Sequence, residues 1–403
     1  MLGIPLKDIK LHPIGGNAGR NRTHNRRVVL DYVRANEPTG RAEIAKSCGL
    51  SFQAVSNIIE ALETEGLLVA VGHKTGVRGQ PAAQYKFNPK SAFAIGIELR
   101  PNSLICATLN LKGDCIYRER LSLEDSSPDK AVPEVCDMVD RAIAHCKRSR
   151  AQLLGVGVVM PGPFGAADMA DMNAAILPDW ESIDIKAVFE AALECPVIAE
   201  NDATAAAISE RVAGVARSMD TFCFLYFGAG LGLGVITNGH AQNGAYGNFG
   251  EIGHIVTQVG GTKCSCGNEG CLETYVSRLS VQKFMANRGI DIPDADTLTM
   301  LLEQNNAALI EWIDIAAKHL SQAIGILENI FDPETIVFGG AMPDSVTDAL
   351  ISRLQLPQGS VANRKDRKID RVMRGASGHY TAAIGGASMI IHQITTPSMA
   401  LYS

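Results

Sequence analysis

Gly247-Asn-Phe-Gly-Glu251-Ile-Gly-His254, continuing through Cys264-Ser-Cys266-Gly-Asn-Glu-Gly-Cys271-Leu-Glu273, is the stretch on which the reading of this chain turns. Cys264, Cys266 and Cys271 fall within eight residues, and His254 lies ten residues before the first of them. Three thiolates and one imidazole make a closed tetrahedral donor set of the kind that holds structural zinc, one Zn(2+) per chain. Gly267 and Gly270 let the short loop fold back and bring Cys271 to the same point. The competing readings are buried free thiols or a disulfide between two of the three. With ten cysteines in 403 residues, so tight a cluster is poorly explained by chance. A reducing compartment disfavours the disulfide.

Gly-Glu-Ile-Gly-His followed by Cys-x-Cys-Gly-x-x-Gly-Cys-x-Glu resembles the signature of the ROK family, which groups sugar-responsive transcriptional repressors with sugar kinases. The resemblance runs from about residue 93 to the C-terminus. Periodicity alone gives only α/β for this region: short apolar runs, then helix and strand in alternation, the pattern occurring twice. The resemblance implies more, a two-lobed actin-like (ribonuclease-H-like) sugar-binding domain over residues 89–403, carrying a zinc knuckle and a ligand cleft between the lobes.

The segment before it decides the branch. Residues 1–24 are rich in Gly and Asn and read as an N-terminal arm. Over 25–88 the apolar spacing gives a helix to about Ala35, a short helix Arg41–Cys48, and a third from about Phe52 to Glu65, with Gly49 in the turn and Ser51 as N-cap. Leu67–Val69 and Gln84–Phe87 read as strands flanking a basic loop, His73 to Pro81, whose tip holds Arg78. This is an α+β winged helix-turn-helix pattern. Ser51, Gln53, Ser56 and Asn57 on the third helix and Arg78 on the wing are the candidate DNA-binding residues. A trihelical dimerisation module is the plain alternative. ROK repressors carry such a head before the sugar domain, and the resemblance implies operator DNA as partner, read by a homodimer or homotetramer on a pseudo-palindrome.

Charge supports a head distinct from a body. Residues 1–90 hold 13 Lys and Arg against 7 Asp and Glu, whereas the rest hold 24 against 36. A basic head on an acidic body suits a nucleic-acid reader joined to another module. Hydrophobic content of 46% and charged content of 20% are ordinary for a globular protein. No apolar run reaches the ~20 residues that span a bilayer. Lys7, Asp8 and Lys10 interrupt the N-terminus, so no signal-peptide core is expected and a cytoplasmic location follows.

Two further loops complete the candidate site. Met160-Pro-Gly162-Pro163 follows a buried strand, and Glu200-Asn201-Asp202-Ala203 joins a strand to a helix. By position alone Asp202 reads as an N-cap, and Glu251 and Glu273 as supports of the knuckle. The family's motifs instead imply that Gly162, Asn201, Asp202, Glu251, His254 and Glu273 bind a monosaccharide or sugar derivative. In that reading one ring nitrogen of His254 serves zinc and the other the sugar. Relatives often carry Asn-Leu-Pro-Gly-Trp where this chain has Ile176-Leu-Pro-Asp179-Trp180, and these residues stay outside the candidate set.

The family's kinases carry Asp-x-Gly-Gly-Thr between their first two strands to cradle ATP phosphates. Here the segment is Gly96-Ile-Glu98-Leu-Arg100-Pro-Asn-Ser103, in which Arg and Pro replace the glycines. Losing that loop removes both positioning and electrostatic stabilisation of phosphoryl transfer. The expectation is a regulator without catalytic residues. The rival is an ATP-dependent sugar kinase that also binds DNA, since Gly228-Ala-Gly230-Leu-Gly232 survives and Asp202 suits a general base.

Overall fold

A computed structural model of the chain describes residues 18–74, 82–162, 177, 179–180 and 183–396. Two compact units meet in sequence between Asn88 and Pro89.

The first unit contains α1 (Ala18–Asn36), β1 (Thr39–Gly40), α2 (Arg41–Cys48), α3 (Phe52–Thr64), β2 (Leu68–Lys74) and β3 (Ala82–Phe87). Val29, Leu30 and Val33 of α1, Ile44 of α2, Val55, Ile59 and Leu62 of α3, and Leu68, Tyr85 and Phe87 of the strands are all buried. Gly49 ends α2 at φ 65, the left-handed cap a glycine allows, and Ser51 Oγ accepts from Ala54 N at 3.1 Å to open α3. The α2–turn–α3 unit is therefore as the spacing predicts, while β2 runs beyond the expected Leu67–Val69 into His73 and Lys74 of the expected loop, which pair with Ala83 and Ala82 of β3. Two further features differ. First, α1 starts at Ala18, inside the stretch read as an arm, and its Arg26 forms a two-pronged ion pair with Glu65 at the end of α3. Second, Thr39–Gly40, between the first two helices, adds an edge strand, giving the antiparallel order β1-β3-β2.

The second unit holds two lobes of matching topology. The first lobe comprises β4 (Phe93–Arg100), β5 (Ser103–Asn110), β6 (Cys115–Ser122), α4 (Pro128–His145), β7 (Leu153–Met160), α5 (Ile185–Leu193) and β8 (Val197–Asn201), and α6 (Asp202–Val212) follows it. The second comprises β9 (Phe222–Phe227), β10 (Leu231–Thr237), β11 (His240–Ala241), α7 (Glu273–Val276), α8 (Arg278–Ala286), α9 (Ala295–Glu303), α10 (Ala307–Phe331), β12 (Ile336–Gly340), α11 (Asp344–Ser352), β13 (Val372–Ser377) and α12 (Thr381–Thr395). The sheets run β6-β5-β4-β7-β8 and β11-β10-β9-β12-β13. In each, three antiparallel strands are followed by two added in parallel. This is the actin-like duplication.

Each lobe has its own apolar core. Phe93, Ile95, Ile97 and Leu99 of β4 pack with Val135, Met138 and Val139 of α4, while Leu225, Phe227 and Phe338 pack with Trp312, Leu320 and Ile324 of α10. The helices that close the lobes are exchanged. A Cβ on Gly96 of the first sheet would lie 1.8 Å from Ala383 O of α12, and one on Gly234 of the second sheet would lie 2.4 Å from Ala203 O of α6. Thus α12, which follows the second lobe, packs on the first, and α6 does the reverse. The two cross where a Cβ on Gly385 would come within 2.5 Å of Ala205 backbone. This stacking leaves the carboxyl ends of the parallel strands at one edge of each sheet, the edge where open α/β sheets take ligands.

Candidate functional site

The knuckle is a folded loop between β11 and α7. Ile252–His254 forms one 3-10 turn, and isolated bridges Val256–Cys271 and Lys263–Glu269 close the loop. Gly267 and Gly270 have φ of 87 and 83, and a Cβ on Gly270 would sit 1.6 Å from Gln258 O, so only glycine fits there. Tyr275, stacked on His319 of α10 at 3.9 Å, accepts from Thr262 N at 2.9 Å and seats the loop on its lobe.

Cys264 Sγ lies 3.6 Å from His254 Nδ1, and Cys266 and Cys271 Sγ are 3.6 Å apart. All four donor atoms lie within 4.8 Å of one another. Edges of about 3.8 Å belong to a tetrahedron of thiolates around zinc, so soft donors and spacing both fit a metal ion. Because Nδ1 faces the thiols, Nε2 points away, 4.0 Å from Glu251 Oε2. Glu273 Oε1 lies 3.2 Å from Cys264 Sγ and 3.7 Å from His254 Nδ1. The knuckle therefore delivers Glu251, His254 and Glu273 as one rigid row.

The other sequence-nominated groups meet this row. A Cβ on Gly162, past the end of β7, would be 3.6 Å from Glu251 Oε1 and 3.9 Å from Asn201 Cβ. At the head of α6 the cap is Asn201, not Asp202: Asn201 Oδ1 accepts from Thr204 N at 2.8 Å. Capping thus occupies the oxygen of Asn201. Asp202 only braces its neighbour's amide, Ala203 N, at 2.9 Å. Desolvation, then the charges of Glu98 and Glu251, push the Asp202 carboxyl up to about 7. Gly162, Asn201, Asp202, Glu251, His254 and Glu273 thus form one cluster, while Pro163 lies outside the described residues. Leu177 and Trp180 are buried in the first-lobe core, where Trp180 stacks on Phe189 and donates to Ser126 O at 2.8 Å.

Several neighbours lie outside the candidate set. Glu200, nearly buried, accepts from Asn201 N and from Asn243 Nδ2, both at 2.9 Å, and so ties β8 to the loop after β11. The β4–β5 turn places Glu98 in the interior with Arg100 Nε on its Oε1 at 2.5 Å. Burial raises the Glu98 carboxyl despite that partner, and Oε2 has no hydrogen-bond partner. Tyr226 on β9 is buried in the joint field of Glu98, Asp202, Arg100 and Arg278. Only the Asn243–Glu200 contact and the field around Tyr226 join residues far apart in sequence.

In the first unit, Gln53 and Asn57 are exposed one turn apart on α3, joined by Gln53 Nε2 donating to Asn57 Oδ1 at 2.8 Å. Ser51 is exposed, with its hydroxyl used in capping. Ser56 departs from the expectation: its hydroxyl is buried and without a partner, turned from the face that Gln53 and Asn57 share. Phe52, 58% exposed beside them, was not on the candidate list. Arg78 lies outside the described residues. No described helix is long and apolar enough to cross a membrane.

Known proteins align with both units. The sequence pattern of the ROK family matches residues 94–394. The xylose repressor of Bacillus subtilis (strain 168) is 26% identical over 369 residues, covering 91% of this chain and 94% of the repressor. A crystal structure of a ROK family transcriptional regulator, a homolog of the E. coli MLC protein, superposes with a TM-score of 0.74 at 20% identity, covering 95% of this chain and 98% of that one. A ROK family glucokinase from Streptomyces griseus, solved with glucose and AMPPNP, gives 0.56 at 20% identity over 74% of this chain and 99% of the kinase. With its duplicated lobes, its knuckle and the family pattern across three quarters of its length, the chain belongs to the ROK family.

Proposed function

We propose that this protein is a sugar-responsive transcriptional repressor. Its first unit reads operator DNA through α3, and a monosaccharide or sugar derivative in the interlobe cleft controls that binding. The observation that carries the reading is the convergence of Asp202, Glu251, His254 and Glu273 at the carboxyl ends of the strands, in a chain that also bears a helix-turn-helix. Carboxylates accept from vicinal hydroxyls, and such a set rejects ligands lacking one. His254, Cys264, Cys266 and Cys271 hold zinc, which is structural: it orients the His254 ring and holds Glu251 and Glu273 in register. Relatives named as repressors support this reading. The test is a gel-shift assay on the protein's own upstream region, titrated with xylose, glucose and N-acetylglucosamine. One of them is expected to change operator affinity in the wild type and not in Asp202→Ala; DNA binding indifferent to every sugar in the series sinks the reading.

A second reading, a sugar kinase that also binds DNA, is favoured by the raised Asp202 carboxyl, whose value of about 7 suits a general base. Against it stands the β4–β5 turn, in which Pro101 supplies no amide and Arg100 occupies the strand end. A coupled ATP assay over the same sugars decides between them, and turnover above background overturns the regulator-only reading.

A further inference from the structure

A cavity of about 380 Å³ opens between the end of α11 and the start of β13. Val372, the first residue of β13, pairs with Ile336, the first of β12, so the cavity lies at the amino ends of these parallel strands. The sugar cluster belongs to the opposite end: a Cβ on Gly230, past the carboxyl end of β9, would lie 2.8 Å from Glu273 Oε2. The cavity wall is aliphatic, formed by Ile351 of α11 with Leu354, Leu356, Ile369 and Val372. Ile351, Leu354 and Leu356 are half-buried, packed on the lobe core while also lining this space. At about 30 Å³ for each water-sized group, the volume holds roughly a dozen such groups. Mostly apolar walls with a few polar groups are the usual composition of a small-molecule site of this size.

The remaining lining residues are Arg367, Lys368, Asp370 and Arg371, and their charges do not balance. Arg371 is matched by buried Glu328, to which its Nε donates at 2.7 Å and its Nη2 at 2.6 Å. Its Nη2 also serves Pro357 O at 3.0 Å, which leaves Nη1 unengaged. Among the described residues neither Arg367 nor Lys368 is ion-paired, Asp332 being taken by Arg364. Arg367 donates instead to backbone, from Nε to Ile369 O at 2.9 Å, from Nη1 to Ala362 O at 3.2 Å and from Nη2 to Pro333 O and Glu334 O. One Nη1 hydrogen is left over. Burial, then the charges of Arg371 and Arg364, push the Arg367 guanidinium down from its ordinary range despite Glu328 and Asp332. Arg353, paired with Asp314 at 2.9 Å and bonded to Ala349 O at 3.2 Å, offsets the carbonyl end of α11. Arg367, Lys368 and Arg371 against Asp370 and Glu328 leave a surplus of one positive charge beside the apolar wall.

We propose that this cavity binds a medium-chain monocarboxylic acid, its carboxylate on Lys368 and the unengaged N–H groups of Arg367 and Arg371, its hydrocarbon chain along the aliphatic wall. The site is separate from the sugar cluster and does not rest on the sugar-responsive reading. A monoanion matches the single surplus charge, whereas a phosphate dianion exceeds it. Charge-assisted hydrogen bonds from guanidinium and ammonium to carboxylate are the strong kind, and an uncharged ligand forgoes them. The apolar wall in turn favours a chain long enough to cover it.

Calorimetry on the full chain at neutral pH and fixed ionic strength tests this. The probes are the straight-chain acids from butyrate to dodecanoate, kept monomeric, with octanamide as the uncharged counterpart of octanoate. One site per chain is expected, each two-carbon extension tightening binding roughly tenfold. The gain should stop at decanoate, which has about a dozen non-hydrogen atoms, and dodecanoate should add nothing. Octanamide should bind about tenfold or more weakly than octanoate. Lys368→Glu, at an exposed position with little risk to folding, should weaken octanoate by about tenfold and leave octanamide unchanged. Ile369→Trp, which fills part of the cavity, should shorten the best chain by about two carbons. Affinity that ignores chain length, octanamide binding as tightly as octanoate, or a wild-type profile in both variants overturns the site. Failure of every acid to bind does the same and leaves the sugar reading standing. Acid binding of the expected profile in a protein that binds no sugar upholds the site on its own.

Discussion

Asp202 shows what a single cleft residue costs the fold. Its carboxyl titrates at about 7, against about 3.9 for an exposed aspartate. A native carboxyl that holds its proton more tightly than the unfolded chain stabilises the fold fully below about pH 4, and that contribution is lost as the pH rises through 7. Asp202→Asn cannot ionise. It is expected to melt above wild type at pH 8, by about 1–3 kcal/mol after allowance for solvent screening, and to show no advantage at pH 4. Thermal denaturation at the two pH values checks this, and equal shifts at both would remove electrostatics as the cause. The variant should also lose the sugar response, a trade of stability for function. The role of Asp202 was only half legible in the sequence. Asn201 and Asp202 both favour helix starts, and which of them caps depends on a backbone angle that residue type does not encode. The histidine and cysteines were easier to find, because metal chemistry restricts residue type and spacing together.

At the scale of elements, the knuckle is the piece whose integrity depends on something other than apolar packing. Cys264 and Cys271 are buried, with the Cys264 sulfur against His254 and Glu273 and the Cys271 sulfur against Cys266 and the His254 carbonyl. Wild-type protein is expected to contain about one zinc per chain, and Cys266→Ser to contain little. That loss should loosen Glu251 and Glu273 and weaken sugar binding while leaving the first unit's DNA binding intact. Elemental analysis with calorimetry reads both effects, and a metal-free wild type that still binds sugar would discard the assignment. A continuous apolar run is legible from sequence alone, as with the buried strand Leu153–Met160 that precedes Pro161 and Gly162. Where long-range pairing makes the element, legibility failed. Val372–Ser377 carries Arg374 and Gly375 and becomes a strand only by lying parallel to β12, and Thr39–Gly40 is a strand only because β3 is beside it.

For the whole molecule, one α3 presents only the Phe52–Asn57 turn to a groove, which is too little for a specific site. Two copies on a pseudo-palindrome are expected. Footprinting should show two-fold symmetric protection, and Asn57→Ala should cost about 1–3 kcal/mol at one base position in each half-site. Since Gln53 donates to Asn57, that variant also frees Gln53, so the base preference should broaden rather than vanish. An asymmetric footprint would remove the paired reading. Exposed Ile326 and Ile330 toward the end of α10 offer apolar surface for such pairing.

The exchange of α6 and α12 bears on how the chain is made. During synthesis the first lobe's strands emerge early, but the helix that covers Gly96 and the β5 face is α12, the last of the described elements to leave the ribosome. For most of translation that face lies open, until α12 arrives to cover it. The sensor cannot be shortened from that end one helix at a time: without α12 the lobe made first is the lobe that fails.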